Sequence, residues 1–321
     1  MKDLLTDNFR AFSAKIGADP LCIQGPGGNT SIKDDEVMWI KASGFELADA
    51  VTSEIFVAVD RNAADAEAHG AGDGTCKATV LDPEVELRPS IETTFHAALN
   101  WRVCAHTHSV AALSHVISPD GRKVAKRQLE DLNPVFVPYA KPGLPLTTEI
   151  LKRAKPESRL FLLENHGLIV CGETTAETDN LMQRVEGRLF RAPAHVVGGA
   201  PAGAAMEGFD WAKTENWMAR HETVCNWITE GSYYPDHVVF LGAGLPTADK
   251  DDEPPVVVIP GEGIQIRKSA TSVQRAMLTC LSDIFRRLPK EWEPEAIGHA
   301  AEAELLNWDA EKYRQWLAAK G

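Results

Sequence analysis

The chain has 321 residues, 44% of them hydrophobic and 25% charged, enough to bury one large core or two. A formal net charge of −13 argues against a nucleic-acid partner, which needs a basic face. It does not exclude an anionic substrate, because phosphate pockets are built locally from backbone N–H groups and a few cations. No run approaches the 18 or so apolar residues of a membrane span, and the N-terminus has no signal-peptide core, so the expected location is the cytoplasm and no membrane partner is expected. The cysteines at 22, 76, 104, 171, 225 and 280 lack C-x-x-C spacing, which fits reduced thiols.

In chain order, residues 2–16 read as an amphipathic helix, Gly25 to Asn29 as a turn, and S-I-K followed by D-E-V-M-W-I-K as a hairpin. Residues 55–60 read as a strand, and the stretch from Ala63 to Thr79, rich in Ala, Gly and Asp, as a flexible excursion. A helix after Ser90 leads into a strand, W-R-V-C-A-H-T-H, and a short helix at 109–114. A strand at 134–139, a helix at 146–154, a strand–turn–strand over 159–172 and a helix from Thr175 to Arg191 close this part. Short hairpin-like turns imply antiparallel pairing, hence an α/β fold with a mostly antiparallel sheet covered by helices. Residues 192–208 are a Pro/Gly/Ala run. The expected organisation is a catalytic domain over 1–195, a linker over 196–208 and an accessory α+β region over 209–321. That region reads as a helix at 209–230, a strand at 237–241 entered by His237, a hairpin at 255–267, and helices near 271–288 and 299–319.

The feature that carries chemistry is His106-Thr107-His108, answered downstream by Glu164-Asn165-His166-Gly167. Residues i and i+2 of a strand point to one face, so His106 and His108 present two imidazoles side by side. His166, from a distant turn, completes a set of three, and three protein ligands with an open position suit a catalytic metal. Among ten histidines a chance pair is expected, so the company matters. Upstream, Pro89-Ser90-Ile91-Glu92 opens a helix whose first-turn carboxylate can be aimed at the strand's end, although acids also favour that position through the helix dipole. Cys104, two residues before His106, reads as a small core residue.

Six ordered blocks make the reading specific: G-G-N-T-S at 27–31, K-A-S-G at 41–44, S-x-E-x-x-x-H at 90–96, H-T-H-S at 106–109, P-Y-A-K-P-G at 138–143 and N-H-G-L-I at 165–169. With these blocks, spread over roughly residues 5–195, the chain resembles the class II aldolase/adducin family, the zinc-dependent fuculose- and rhamnulose-phosphate aldolases and ribulose-phosphate 4-epimerase. The tail resembles the extension of the aldolase half in bacterial rhamnulose-phosphate aldolase/dehydrogenase fusions.

The resemblance implies a three-layer α/β/α fold and a homotetramer whose substrate pockets sit at subunit interfaces. It implies that His106, His108 and His166 bind Zn2+, or another divalent metal such as Mn2+ or Co2+, and that Glu92 is the catalytic carboxylate. Tyr139 matches the tyrosine that handles the aldehyde oxygen's proton, usually from a neighbouring subunit. Gly28, Asn29, Ser43, Gly44 and Ser90 fall where the family cradles a phosphate. Lys33 and Lys41 either add positive charge there or are solvated surface lysines. The sugar-phosphate aldolases carry two adjacent serines before the glutamate where this chain has Ser90-Ile91, so a sugar acid or an unphosphorylated polyol competes with a sugar phosphate. The expected reaction is retro-aldol cleavage of a ketose phosphate or related polyhydroxy ketone. Epimerisation and decarboxylation are the family alternatives, and an adducin-like binding module is the non-enzymatic one. The epimerase branch has aspartate where Glu92 stands, which favours the lyase.

Overall fold

The structure is a computed structural model that describes residues 4–194, 196, 201, 203–248 and 253–319. The first helix, α1 (Asp7–Gly17), begins where the Thr6 hydroxyl accepts a hydrogen bond from Phe9 N, and it buries Phe9, Phe12 and Ile16. The expected start at residues 2 and 3 lies outside the described residues. Strands β1 (Asn29–Lys33) and β2 (Val37–Lys41) form the anticipated hairpin, and β3 (Phe56–Asp60), expected as a strand, pairs antiparallel with β2.

The excursion after β3 departs from expectation. It opens with α2 (Arg61–Ala68), capped by Asp60 accepting from Ala63 N. The alanines that suggested flexibility are strong helix formers, and Ala64 and Ala68 are buried. Next come α3 (Thr93–Ala98), β4 (Val103–Thr107), α4 (Val110–Val116) and α5 (Pro119–Gln128). The sequence reading passed over α5, although Pro119 in its first turn is a start signal. Then β5 (Val135–Val137), α6 (Leu144–Leu151), β6 (Leu160–Leu163), β7 (Gly167–Gly172) and α7 (Thr175–Leu189) follow as expected in type and place.

The seven strands form one sheet in the order β3-β2-β1-β4-β7-β6-β5, antiparallel throughout except for the β5–β6 pair. The two faces of β4 belong to different hydrophobic clusters. Val103 and Ala105 pack with α1, α4 and α7, while Cys104 packs with Phe95, Phe161, Ile169 and Cys171. Cys104 is thus a buried core residue, as its neighbours in sequence suggested, and all six cysteines are free and buried.

Beyond α7, part of the expected linker, at 197–200 and 202, lies outside the described residues. The helix expected at 209–230 is instead β8 (Phe209–Trp211), α8 (Trp217–Arg220) and α9 (Glu222–Glu230). The strand expected at 237–241 is a helix, α10 (Pro235–Leu241), so His237 sits inside a helix rather than at a strand entry. Every residue of α10 is buried, and a helix enclosed on all sides lacks the amphipathic period that betrays one. The hairpin β9 (Val256–Ile259) and β10 (Gly263–Arg267) forms as expected and joins β8 in a three-stranded sheet. Helix α11 (Ser272–Phe285) is closed by a capping box, and the final helix divides at Asn307-Trp308 into α12 (His299–Leu306) and α13 (Asp309–Ala318). Buried side chains from α8 to α11 share one hydrophobic cluster with α1, α4 and α7. Among the described residues no helix is long and apolar enough to cross a membrane.

Candidate metal centre and acid/base site

Strand register assembles the site. In the sheet, β4 lies between β1 and β7, and His106 is opposite Asn29 on one side and Ile169 on the other. The turn joining β6 to β7 carries His166 and is made tight by Asn165, whose φ of 53° is left-handed. His108 follows β4 directly. The ligand atoms of His106, His108 and His166 all lie within 4.8 Å of one another, and all three residues are buried. The three histidines that the sequence spacing pairs are thus neighbours in space.

Glu92 enters from the N-cap position of α3, not from its first turn, and its side chain makes no capping hydrogen bond. It points at the histidines instead. One carboxylate oxygen stands 3.5 Å from His106 Nε2 and the other 3.4 Å from His166 Nε2. Asn29 Nδ2 donates to Glu92 Oε2 at 2.8 Å and to Ser90 Oγ at 3.1 Å. His96 in turn holds Asn29: its Nε2 bonds Asn29 Oδ1 and its Nδ1 bonds Ser31 Oγ at 2.7 Å. The H of S-x-E-x-x-x-H thus has a place, two bonds removed from the carboxylate.

Burial pushes His106 below its ordinary range and His166 down to about 3, so both imidazoles are neutral near neutral pH and carry lone pairs. Burial acts to raise Glu92, yet it lies below the ordinary carboxylate range, and the hydrogen bond from Asn29 is one of the interactions that favour the ionised form. His106 Nδ1 is 3.0 Å from the Leu168 carbonyl, which leaves Nε2 as the free nitrogen. That nitrogen and Glu92 Oε1 are buried polar atoms with no hydrogen-bond partner among the described residues. Orphaned acceptors of this kind fit a divalent cation, and imidazole nitrogens with one carboxylate are the donor set that zinc takes.

Gly28, Asn29, Ser43, Gly44, Ser90, Glu92, His108 and His166 line one cavity of about 30 Å³. At Gly28 the backbone has φ 58°, and a Cβ there would lie 2.7 Å from the His106 carbonyl oxygen, so only glycine lets this turn approach the strand. Lys33 and Lys41, weighed as surface lysines, are each only 2% exposed. Lys41 lines the cavity and donates to the carbonyls of Pro26 at 2.8 Å and Phe45 at 2.6 Å, and burial brings it down to about 7. Lys33 lies away from the cavity and donates to the His96 carbonyl. Tyr139 does not line the cavity of its own chain. Its hydroxyl is buried without a hydrogen-bond partner among the described residues, and burial, with Glu304 and Glu302, raises it.

Two contributors were not found in the sequence. Asp236 of α10 and Arg314 of α13 both line the cavity, with Asp236 Oδ2 3.0 Å from His108 Nδ1 and Oδ1 2.9 Å from Arg314 Nη2. Pro235 and Asp236 are helix-start signals that could have placed α10, but nothing local points them at a histidine so far away in the chain.

Three buried histidines beside a buried carboxylate form a group that could bind a metal ion. The chain belongs to the Class II Aldolase and Adducin N-terminal domain family, whose profile matches residues 16–189. It is 31% identical over 194 residues to the uncharacterized oxidoreductase YuxG of Bacillus subtilis, a match covering 53% of this chain and 27% of that protein. It is 34% identical over 114 residues to the 3-oxo-tetronate 4-phosphate decarboxylase of Escherichia coli K12, covering 31% of this chain and 52% of the enzyme. The matched stretches therefore span about a quarter and about half of these two relatives. Among solved structures, the N-terminal class II aldolase domain of a conserved protein from Thermoplasma acidophilum superposes with a TM-score of 0.50 at 28% identity, covering 57% of this chain and 91% of that one. Relatives of the chain include the decarboxylase and a methylthioribulose-1-phosphate dehydratase of Microcystis aeruginosa, 31% identical over 185 residues.

Proposed function

We propose that this chain is a metal-dependent carbon–carbon lyase that cleaves a ketose phosphate, or a related polyhydroxy ketone or sugar acid, by retro-aldol chemistry. The observation that carries this reading is the Glu92 carboxylate, buried and suspended between the Nε2 atoms of His106 and His166. Zn2+, or Mn2+ or Co2+ in its place, held by His106, His108 and His166, supplies the Lewis acid that stabilises charge developing on the substrate's oxygens.

The remaining chemistry falls to the protein. Glu92 shuttles the proton at the enediolate carbon, and exclusion of water by the bound substrate raises its proton affinity toward that task. Asn29, fixed by His96, holds one carboxylate oxygen and so limits the directions in which Glu92 can deliver a proton. The anionic end of the substrate meets Gly28, Asn29, Ser43, Gly44 and Ser90, and Lys41 adds positive charge at the same cavity. Tyr139 is assigned to proton transfer at the aldehyde oxygen of a neighbouring copy, which calls for a homo-oligomer, a tetramer by family resemblance. No nucleic-acid or membrane partner is assigned, and the protein is placed in the cytoplasm.

Decarboxylation of a sugar acid is the second reading. It is supported by the likeness to the decarboxylase and by Ile91 standing where a second serine would serve a phosphate. One experiment separates the two: a panel of ketose 1-phosphates and 3-oxo sugar acids is assayed with and without EDTA. The lyase reading expects aldehyde release from a ketose phosphate, abolished by EDTA and restored by Zn2+. Carbon dioxide release from the acids alone selects the decarboxylase, and turnover that persists in EDTA contradicts both.

A further inference from the structure

We infer that the metal centre is completed from the C-terminal region, with Asp236 positioning His108 and Arg314 positioning Asp236. The inference rests on reading the three histidines as metal ligands. It concerns residues beyond the stretch at 16–189 that the family profile matches.

Asp236 is only 1% exposed. Its Oδ2 lies 3.0 Å from His108 Nδ1, and a carboxylate this close to Nδ1 favours a proton on that nitrogen and leaves Nε2 to carry the lone pair. The backbone at Gly27 comes close to the pair: a Cβ added there would stand 2.8 Å from Asp236 Oδ2 and 2.9 Å from His108 Nδ1, so the approach leaves no space for a larger residue at 27. The other carboxylate oxygen is held at 2.9 Å by Arg314, itself 7% exposed, whose second nitrogen donates to Glu311 Oε2 at 2.8 Å. The chain of contacts runs Glu311, Arg314, Asp236, His108.

A second brace reaches His166. Asn165 Nδ2 donates to the Tyr233 carbonyl at 3.1 Å and to the Glu295 carbonyl at 2.7 Å, so the turn that presents His166 is tied to the segment just before α10. Helix α13 also touches the anion-binding loop. A Cβ at Gly44 would fall 2.2 Å from Leu317 Cδ1, one helical turn on from Arg314. Helix α13 therefore packs on that loop with the same face region that carries Arg314 to Asp236. Two of the three histidines take their orientation from residues 233–314, and the third from the Leu168 carbonyl within the sheet.

A plain packing role would leave metal binding unchanged, so the readout is the metal itself, on the full chain and without substrate. Zn2+ affinity is measured by competition with a chromogenic chelator, and ligand geometry by the visible spectrum of the Co2+ form. Asp236→Asn is expected to weaken Zn2+ binding about 10- to 100-fold and to shift the Co2+ bands. Arg314→Lys is expected to give a smaller loss, which disappears in the Asp236→Asn background because the path is already broken. Folded Asp236→Asn protein with unchanged affinity and bands overturns the inference, as do losses that combine independently in the double variant. If Asp236→Asn does not fold, Asp236→Glu carries the same test: the charge stays, the oxygen moves, and unchanged Co2+ bands overturn the inference. A parent protein that binds neither metal overturns the metal-centre reading, and the inference with it, whereas metal binding without any sugar turnover leaves the inference standing and rejects only the proposed reaction.

Discussion

Glu92→Gln tests the assignment of the proton shuttle with the least disturbance of the fold. Glutamine keeps the size of the side chain, and its carbonyl oxygen can still accept the Asn29 amide now 2.8 Å from Glu92 Oε2. The substrate-binding loops should stay in place, so KM should change little. What is lost is a proton carrier. General acid/base groups contribute about 10²- to 10⁴-fold, or roughly 2.7–5.4 kcal/mol of barrier at 1.36 kcal/mol per decade. The other carboxylate in the cavity, Asp236, is bound to Arg314 and faces His108, so it cannot substitute. We therefore expect kcat to fall at least about 100-fold, with metal content and urea midpoint close to those of the parent. Glu92→Asp should also be impaired, because drawing the carboxylate back by about an ångström misplaces the proton. The assay is steady-state turnover of whichever ketose phosphate or sugar acid the panel identifies. A rate within about threefold of the parent would refute the assignment and leave Glu92 as an acid beside a helix start.

Other consequences follow from buried charges and from assembly. Glu186 of α7 is half-buried, and burial raises it from 4.5 to about 7, with Ser109 opposing and Asp19 adding to the effect. Its folded pKa lies above the unfolded one, so the stability it allows below about pH 4.5 is lost as pH rises through 7. Glu186→Gln should accordingly be more stable than the parent by about 1–3 kcal/mol at pH 8 and nearly equal to it at pH 4.5; urea melts giving the same difference at both pH values would contradict this. Lys41→Met strands the Pro26 and Phe45 carbonyls and removes a cation from the cavity, so denaturant melts should show a loss of about 1–3 kcal/mol and the substrate KM should rise, whereas a variant unchanged in both would place Lys41 outside the substrate site. Light scattering should give an oligomer, and conditions that split it should abolish turnover while metal stays bound; a fully active monomer would remove the role given to Tyr139.

The parts of the site that could be read from sequence are those fixed by local geometry. Residues two apart on a strand share a face, so His106 and His108 announce themselves, and the N-H-G turn at 165–167 stands out because a left-handed Asn165 and a glycine allow it. The sheet was legible in part for the same reason: β1 to β2 and β6 to β7 are joined by short turns. Burial was not legible. Lys41 looks like any surface lysine until the turn at Pro26 and the loop at Phe45 close around its ammonium. The run V-V-F-L looks like a strand because β-branched residues favour one, but α10 is enclosed on every side and its helix is decided by packing. Asp236 and Arg314 depend on that misread helix and on α13, so no spacing rule could have joined them to His108.

The most direct test of the account is elemental analysis of the purified protein and of its His106→Ala, His108→Ala and His166→Ala variants. The account predicts about one zinc or similar divalent ion per chain in the parent and a large loss in each variant, with the fold retained. Full metal occupancy in folded His108→Ala protein would contradict it.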